Sequence, residues 1–488
     1  RLDPSPGVWT AMDGDGDLPD ACDPDASSAW LARNQGCMSM LGWPRDEVVA
    51  EAELRAQWLE RRRACSSANL RLSYRAPLAM VRGWKQFLLD NEGRAYLDAY
   101  NNVPHVGHAH PRVIEAASRQ MRLLNTNTRY VHPSYAEYAE ALLTRMPDPL
   151  CVCFFVNSGT EANELALRLA RTHTGQRDVI VMDAAYHGNS STMIDLSPYK
   201  HAGPGGQGAP DWVQVVPLAD SYRGPWREHT AATGRAYAAC LDEAIARIHA
   251  CGRGPAAFIS EVFPSVGGQI IPPPDYYRHA YAAVRAAGGM CIADEVQTGL
   301  GRIGESFWAF DTQGVIPDIV VLGKPMGNGH PIGAVVTRRD IADSFANGME
   351  FFSTFGGSTV SCVVGREVLR IVEEEGLQEN ARRVGDVVLD GLRTLASRHA
   401  IIGDVRGMGL FIGAELVDDR ASRAPATRQT AHVVNRLREE RILIGSEGPH
   451  DNVLKIRPPL CFTMQDAEFL LDRLDRILRE RGSQPASC

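Results

Sequence analysis

The chain has 488 residues, enough for a large core and two or three domains. Hydrophobic residues make up 44% and charged residues 23%, the balance of an ordinary globular protein. A formal net charge of −8 argues against a nucleic-acid or anionic-membrane surface, and no apolar stretch reaches membrane-spanning length. Eleven cysteines are scattered without a CxxC pair or a Cys/His cluster at zinc spacing, so no metal site is expected. Cys151, Cys153 and Cys291 read as small buried apolar side chains, and a reducing, cytoplasmic setting fits best.

Residues 1–69 read as an acidic, linker-like tail followed by a charged helix. The first thirty residues carry seven aspartates against one arginine. Asp13-Gly-Asp15-Gly-Asp17 starts like a calcium loop, but Leu18 and Pro24 stand where glycine and glutamate are needed. The chain opens on Arg1 rather than Met, and it reads as a processed chain or a piece of a longer polypeptide. Residues 45–64 have a helical, strongly charged pattern ending in Arg61-Arg62-Arg63.

Residues 70–130 form an N-terminal segment in which Val81 to Asp98 predicts a hairpin turning at Asp90-Asn-Glu-Gly93. Residues 131–360 form a large domain. There, strand-like runs (152–156, 179–182, 257–260, 290–293 and 319–322) alternate with helical stretches. That alternation predicts an α/β fold with a mainly parallel sheet covered on both faces. Residues 361–488 shift to long amphipathic helices around a short sheet segment at 407–415, a smaller C-terminal α+β domain.

Chemistry concentrates at strand ends. Lys324 follows the run Asp318-Ile-Val-Val-Leu-Gly, and Asp294 ends another run thirty residues upstream. A lysine and an aspartate at neighbouring strand tips can hold the two working ends of pyridoxal phosphate (PLP). The lysine forms an imine with the aldehyde and the aspartate keeps the ring nitrogen protonated. Ser158-Gly159-Thr160-Glu161 opens a helix after a strand with capping-box spacing, and serves either as an ordinary N-cap or as a phosphate site. Tyr186 can lie flat against a heteroaromatic ring and His187 can hydrogen-bond near it, or the two are a core tyrosine and a loop histidine. Val296 can pack on the opposite ring face, and Gln297 can reach the ring's phenolic oxygen. The turn Phe351 to Ser358, with Thr354, can supply a further phosphate ligand. A nicotinamide enzyme would want G-x-G-x-x-G at a strand-to-helix turn, and none is present.

Together and in this order, these segments resemble the class III aminotransferases, PLP enzymes of fold type I, over roughly residues 70–480. Asn101-Asn102-Val-Pro-His105-Val-Gly-His108-Ala-His110-Pro111, Gly267 to Pro272, Gly323 to Pro331 and Leu454 to Phe462 are similar to one subgroup. It comprises alanine–glyoxylate aminotransferase 2-like proteins and includes the ethanolamine-phosphate and 5-phosphohydroxylysine phospho-lyases. The chain also resembles the C-terminal part of bacterial fusions carrying kinase-like and peptidase-like domains upstream.

The resemblance implies a mainly parallel seven-stranded sheet and the cofactor pyridoxal 5'-phosphate. It implies that Lys324 forms the aldimine and shuttles the proton, while Asp294 pairs with the pyridine nitrogen and Glu261 is the buried active-site acid. Ser158, Gly159 and Thr160 would bind the cofactor phosphate, Tyr186 would stack on the ring and Gln297 would contact its phenolic oxygen. Thr354 would reach the phosphate of the neighbouring subunit, which implies a homodimer with shared sites. The expected partners are a small amino donor and a carbonyl acceptor, with neither nucleic acid nor membrane.

Two positions depart from the family. Lys455 stands where many members place an arginine that grips a substrate carboxylate, and Arg457 is displaced by two residues. Pro264-Ser-Val-Gly-Gly lacks the acid that masks that arginine in ornithine-type members. A lysine is a point charge without the bidentate fork that suits a carboxylate. Arg129 is a candidate second anion contact or, equally, a salt-bridge residue. The expectation is an aminotransferase, with a phospho-lyase acting on a phosphorylated amino alcohol such as phosphoethanolamine as the alternative.

Overall fold

The computed structural model describes residues 51–480. The acidic tail and the first residues of the expected charged helix lie outside them. The rest of that helix is α1 (Glu51–Cys65). The expected hairpin is a three-stranded meander of β1 (Met80–Trp84), β2 (Phe87–Asp90) and β3 (Ala95–Asp98). Its second turn falls at 90–93, where the Gly93 N–H donates to the Asp90 carbonyl and Gly93 takes φ 76°. The first turn, which the sequence did not signal, bends at Lys85 with φ 48°.

Seven strands make the central sheet: β4 (Leu150–Val156), β5 (Asp178–Met182), β6 (Val213–Val216), β7 (Pro255–Glu261), β8 (Met290–Asp294), β9 (Ile319–Leu322) and β10 (Gly333–Arg338). Their spatial order is β4-β10-β9-β8-β7-β5-β6, and β10 alone runs against its neighbours. Alternate residues of each strand feed two different cores. Val179, Val181, Ile259, Ile292 and Val321 join one with Leu165 and Leu169 of α2 (Gly159–Thr174). Ile180, Met182, Phe258, Cys291 and Val320 join the other, with Leu241 of α3 (Ala231–Ala250) and Tyr281 of α4 (Tyr276–Ala286). Burial on both faces explains why these strands read as continuous apolar runs. Cys151 differs from expectation. It is exposed at the start of the edge strand β4, whereas Cys153, further along that strand, and Cys291 are buried.

The C-terminal part packs α5 (Thr359–Glu374) and α6 (Leu377–Arg398) beside a second sheet of β11 (Ile402–Met408), β12 (Phe411–Asp419), β13 (Ala424–Pro425), β15 (Gly445–Glu447) and β16 (Val453–Ile456). The intervening β14 (Ile442–Leu443) leaves this sheet and pairs in parallel with β3. The N-terminal meander is thereby tied to the C-terminal part by backbone hydrogen bonds. Among the described residues no helix is long and apolar enough to cross a membrane.

Candidate active site

β7, β8 and β9 lie side by side and parallel, with Glu261 opposite Asp294 and Asp294 opposite Val321. Their carboxyl ends therefore present Glu261, Asp294 and, three residues beyond Val321, Lys324 at one edge of the sheet, where ligands bind in α/β folds. The start of α2 comes to the same edge. A Cβ on Gly323 would stand 3.2 Å from Gly159 Cα, and one on Gly159 would stand 3.0 Å from a Val296 methyl, so glycine at both positions gives this close approach room that a side chain would take up. Around them closes a pocket of about 120 Å³.

Ser158, Gly159 and Thr160 line it from the helix start, Tyr186 and His187 from the loop after β5, and Glu261, Asp294, Val296, Gln297 and Lys324 from the strand ends. Ser158 caps α2 by accepting from the Glu161 N–H at 3.1 Å. The expected reciprocal capping bond is absent, because the Glu161 carboxylate reaches one residue further, to the Asn157 N–H at 3.2 Å. The start of the helix thus lines the pocket, and a helix N-terminus suits an anion such as phosphate.

Asp294 is held from three sides. Its Oδ2 accepts from Asn163 Nδ2 and lies beside His187 Nδ1, both at 2.9 Å, and its Oδ1 accepts from the Val296 N–H at 3.1 Å. Asn163 also donates to the His187 carbonyl at 2.8 Å, so helix, loop and strand end are cross-braced. Lys324 sits with its pKa below the ordinary lysine range, because burial and the nearby Arg457 cation disfavour the ammonium while Asp294 and Glu261 oppose them. Glu261 is pushed up to about 8 by burial and the Asp294 charge, against the pull of Lys324 and Arg457. Its Oε2 is buried with no hydrogen-bond partner in the protein.

This raised acid carries a pH signature. The folded chain keeps the Glu261 proton up to about 8, whereas the unfolded chain releases it near 4.5. Between those values the folded state binds more protons, so stability falls as pH rises through that window and is flat above it. Thermal melts of cofactor-stripped protein across the window are expected to show that decline, and Glu261→Gln is expected to make it shallower, most of all above about 7, the value to which burial pushes the second buried acid, Glu295. An unchanged slope in the variant would assign the decline to other groups.

Lys455 and Arg457, both 4% exposed, lie behind the Gln297 wall. Arg457 donates to Gln297 Oε1 and, at 2.8 Å, to Ser265 Oγ, and Asn102 Nδ2 donates to the same Gln297 oxygen at 2.7 Å. Lys455 contacts Glu447. Thr354 and Arg129 are not in the pocket of this chain. Thr354 is exposed, and Arg129 pairs with Glu350 at 3.5 Å and stacks on the Phe352 ring at 3.9 Å. Asn163 also lines the pocket, and the sequence reading did not single it out. Its signal was the four-residue step from Gly159, which places it one turn into the same helix face. Ser265, Gln269 and Glu447 carried no comparable signal.

The sequence profile of the family Aminotransferase class-III matches residues 71–478. The chain belongs to the class III aminotransferases. It is 48% identical over 451 residues to an alanine–glyoxylate aminotransferase 2-like protein of Drosophila melanogaster, covering 90% of this chain and 91% of that one. It is 39% identical over 448 residues to ethanolamine-phosphate phospho-lyase homolog 1 of Caenorhabditis elegans, covering 89% and 96%. Among solved structures it matches an Arthrobacter phospholyase in complex with phosphoethanolamine, with a TM-score of 0.82, 41% identity and coverage of 86% and 99%. The class III enzymes are PLP-dependent, and this chain is a PLP enzyme of fold type I. The pocket suits that cofactor: a helix start for a phosphate, an aspartate braced by three hydrogen-bond partners, and a lysine with a depressed pKa.

Proposed function

We propose that the chain transfers an amino group from an amine or amino acid to an oxo acid or aldehyde, working at Lys324. The observation that carries this reading is the convergence of Lys324, Asp294 and the α2 start on one pocket. Bound PLP supplies an electron sink for the charge left when a proton leaves the amine-bearing carbon. Lys324 would hold the aldehyde end until the substrate's amine replaces it there, and the freed lysine amine would then take that proton and return it to a different carbon. Its depressed pKa favours the neutral amine, the form a base needs. Asp294 pairs with the pyridine nitrogen, and Asn163 and His187 hold it in place. Ser158, Gly159 and Thr160 take the phosphate, while Tyr186 and Val296 enclose the ring and Gln297 meets its phenolic oxygen. Glu261, protonated at neutral pH, is a proton donor beside them.

The active form in this reading is a cytoplasmic homodimer. The 124–131 segment lies against 352–359, where Thr359 Oγ1 donates to the Leu124 carbonyl at 2.6 Å. Together they expose Leu124, Tyr130, Val131 and Phe355 beside Thr354 and Arg129. An apolar patch of this kind suits burial against a second copy. Thr354 would then serve the partner's phosphate and Arg129 the partner's substrate. The test is direct. Amino donors offered with pyruvate or 2-oxoglutarate should yield transferred nitrogen.

The second reading is phosphate elimination from a phosphorylated amino alcohol. The buried Lys455 and Arg457 favour it, because a phosphate dianion would offset the burial and the Arg457 charge that hold Lys455 well below the ordinary lysine range. Phosphate released from phosphoethanolamine without amino transfer would replace the first reading with this one.

A further inference from the structure

Lys324 opens a single helical turn that ends at Gly327. Asn328 follows with φ 49°, and the His330 N–H donates back to the Gly327 carbonyl at 2.9 Å. His330 is therefore carried on the same tight segment as the lysine. It lies outside the pocket lining, and its ring meets the start of α5 instead. His330 Nε2 stands 3.0 Å from Ser361 Oγ. Ser361 Oγ accepts from Ser358 Oγ at 3.0 Å, and Ser358, the N-cap of α5, accepts from the Ser361 N–H at 3.3 Å. Both serines are buried.

The hydrogen-bonding roles in this chain are complementary. With the Ser358 hydroxyl donating to Ser361, the Ser361 hydrogen is left for His330 Nε2, and a neutral imidazole accepts it. Burial holds His330 below the ordinary histidine range, which favours that neutral ring. The cap itself needs only Ser358 and the Ser361 N–H. His330 adds a contact from 31 positions away, on the lysine's own segment. Without the ring, the Ser361 hydroxyl is left without that acceptor.

Ser358 closes the turn that carries Thr354, and the other end of that turn is tied as well. Ser353 Oγ accepts from Asn157 Nδ2 at 3.3 Å and from the Gly356 N–H at 3.1 Å. Asn157 directly precedes Ser158 at the start of α2. Between the two ties the turn presses on β4, where a Cβ on Gly356 would collide with the Phe155 carbonyl oxygen. The exposed Thr354 thus stands on a turn whose end hydroxyls are tied to segments adjoining Lys324 and Ser158 of the same chain.

We propose that His330 is a positioning residue: through Ser361 and Ser358 it sets the Thr354 turn, and with it the grip on the partner's cofactor phosphate. The proposal rests on the reading of the active form as a homodimer in which Thr354 serves that phosphate. It is tested by titrating PLP into the cofactor-stripped chain and reading the dissociation constant from the visible absorption. Thr354→Ala is expected to bind PLP about tenfold more weakly than wild type, and His330→Ala about fivefold more weakly. The double variant is expected to stay at about tenfold, because His330 acts through Thr354, whereas independent losses would multiply to about fiftyfold. A purely structural His330 has no reason to lose its effect when Thr354 is absent, so the double variant separates the two roles.

Wild-type affinity in His330→Ala overturns the proposal, and so does a loss of about fiftyfold in the double variant. If His330→Ala does not fold, Ser361→Ala takes its place with the same expectation and the same contrary result. Sedimentation of the same samples reports the dimer. A monomeric wild type, or wild-type affinity in Thr354→Ala, overturns the dimer reading and the proposal together. A weakened Thr354→Ala beside an unaltered His330→Ala overturns the proposal alone.

Discussion

Lys324→Ala is expected to lower kcat by on the order of 10⁴-fold while leaving the melting temperature close to that of wild type. The amine lines the pocket rather than either core, so its loss opens no apolar cavity. Its loss also removes the cation that lowers Glu261, so the acid beside it becomes more firmly protonated. No neighbouring group can substitute. Lys455, the other lysine nearby, is engaged by Glu447 and roofed by Tyr100. The visible absorption of the lysine-bound cofactor should vanish in the same variant. A variant that keeps more than about a hundredth of the wild-type kcat would remove Lys324 from the proton-transfer role.

The second large effect is expected at Asp294. Its two oxygens receive the Val296 N–H on one side and Asn163 with His187 on the other. Asparagine offers a single acceptor oxygen, so either orientation sets an NH2 against a donor. The charge that would hold a pyridine nitrogen protonated is lost as well. Asp294→Asn is therefore expected to lower kcat by on the order of 10²–10³-fold and to shift the cofactor's absorption. Asp294→Glu, which keeps the charge and misplaces it, should fall between the two. A fall of less than about tenfold in Asp294→Asn would contradict the assignment.

The strand ends were legible in the sequence because each carries its own local signal. Ile319 to Leu322 and Met290 to Ala293 are short β-prone runs that stop at a chemically distinctive residue, and the cores on both faces account for their unbroken apolarity. Asn163 follows Gly159 by one helical turn, but its bond to Asp294 spans 131 positions and no local pattern encodes that pairing. Glu447 was harder still. Gly445-Ser-Glu447 has no periodicity, and the contact with Lys455 arises from the antiparallel register of β15 and β16. Reading Lys455 by its own segment left it without a counter-charge. The neighbouring strand supplies one. Ser265 and Gln269 belong to a loop whose shape depends on a residue at positive φ, which side-chain pattern does not announce. Thr354 and Arg129 lie outside the pocket lining of this chain, and the placing of Thr354 at a neighbouring subunit's phosphate came from the family resemblance alone.

The central claim is that PLP is held on Lys324. Only four of the 51 basic residues are lysines: Lys85, Lys200, Lys324 and Lys455. Borohydride reduction of the PLP-loaded protein, followed by peptide mass mapping, therefore chooses among four positions. A label on the peptide containing Lys324 alone is the predicted result. A label on Lys85, Lys200 or Lys455 in its place, or no label at all, would contradict the account.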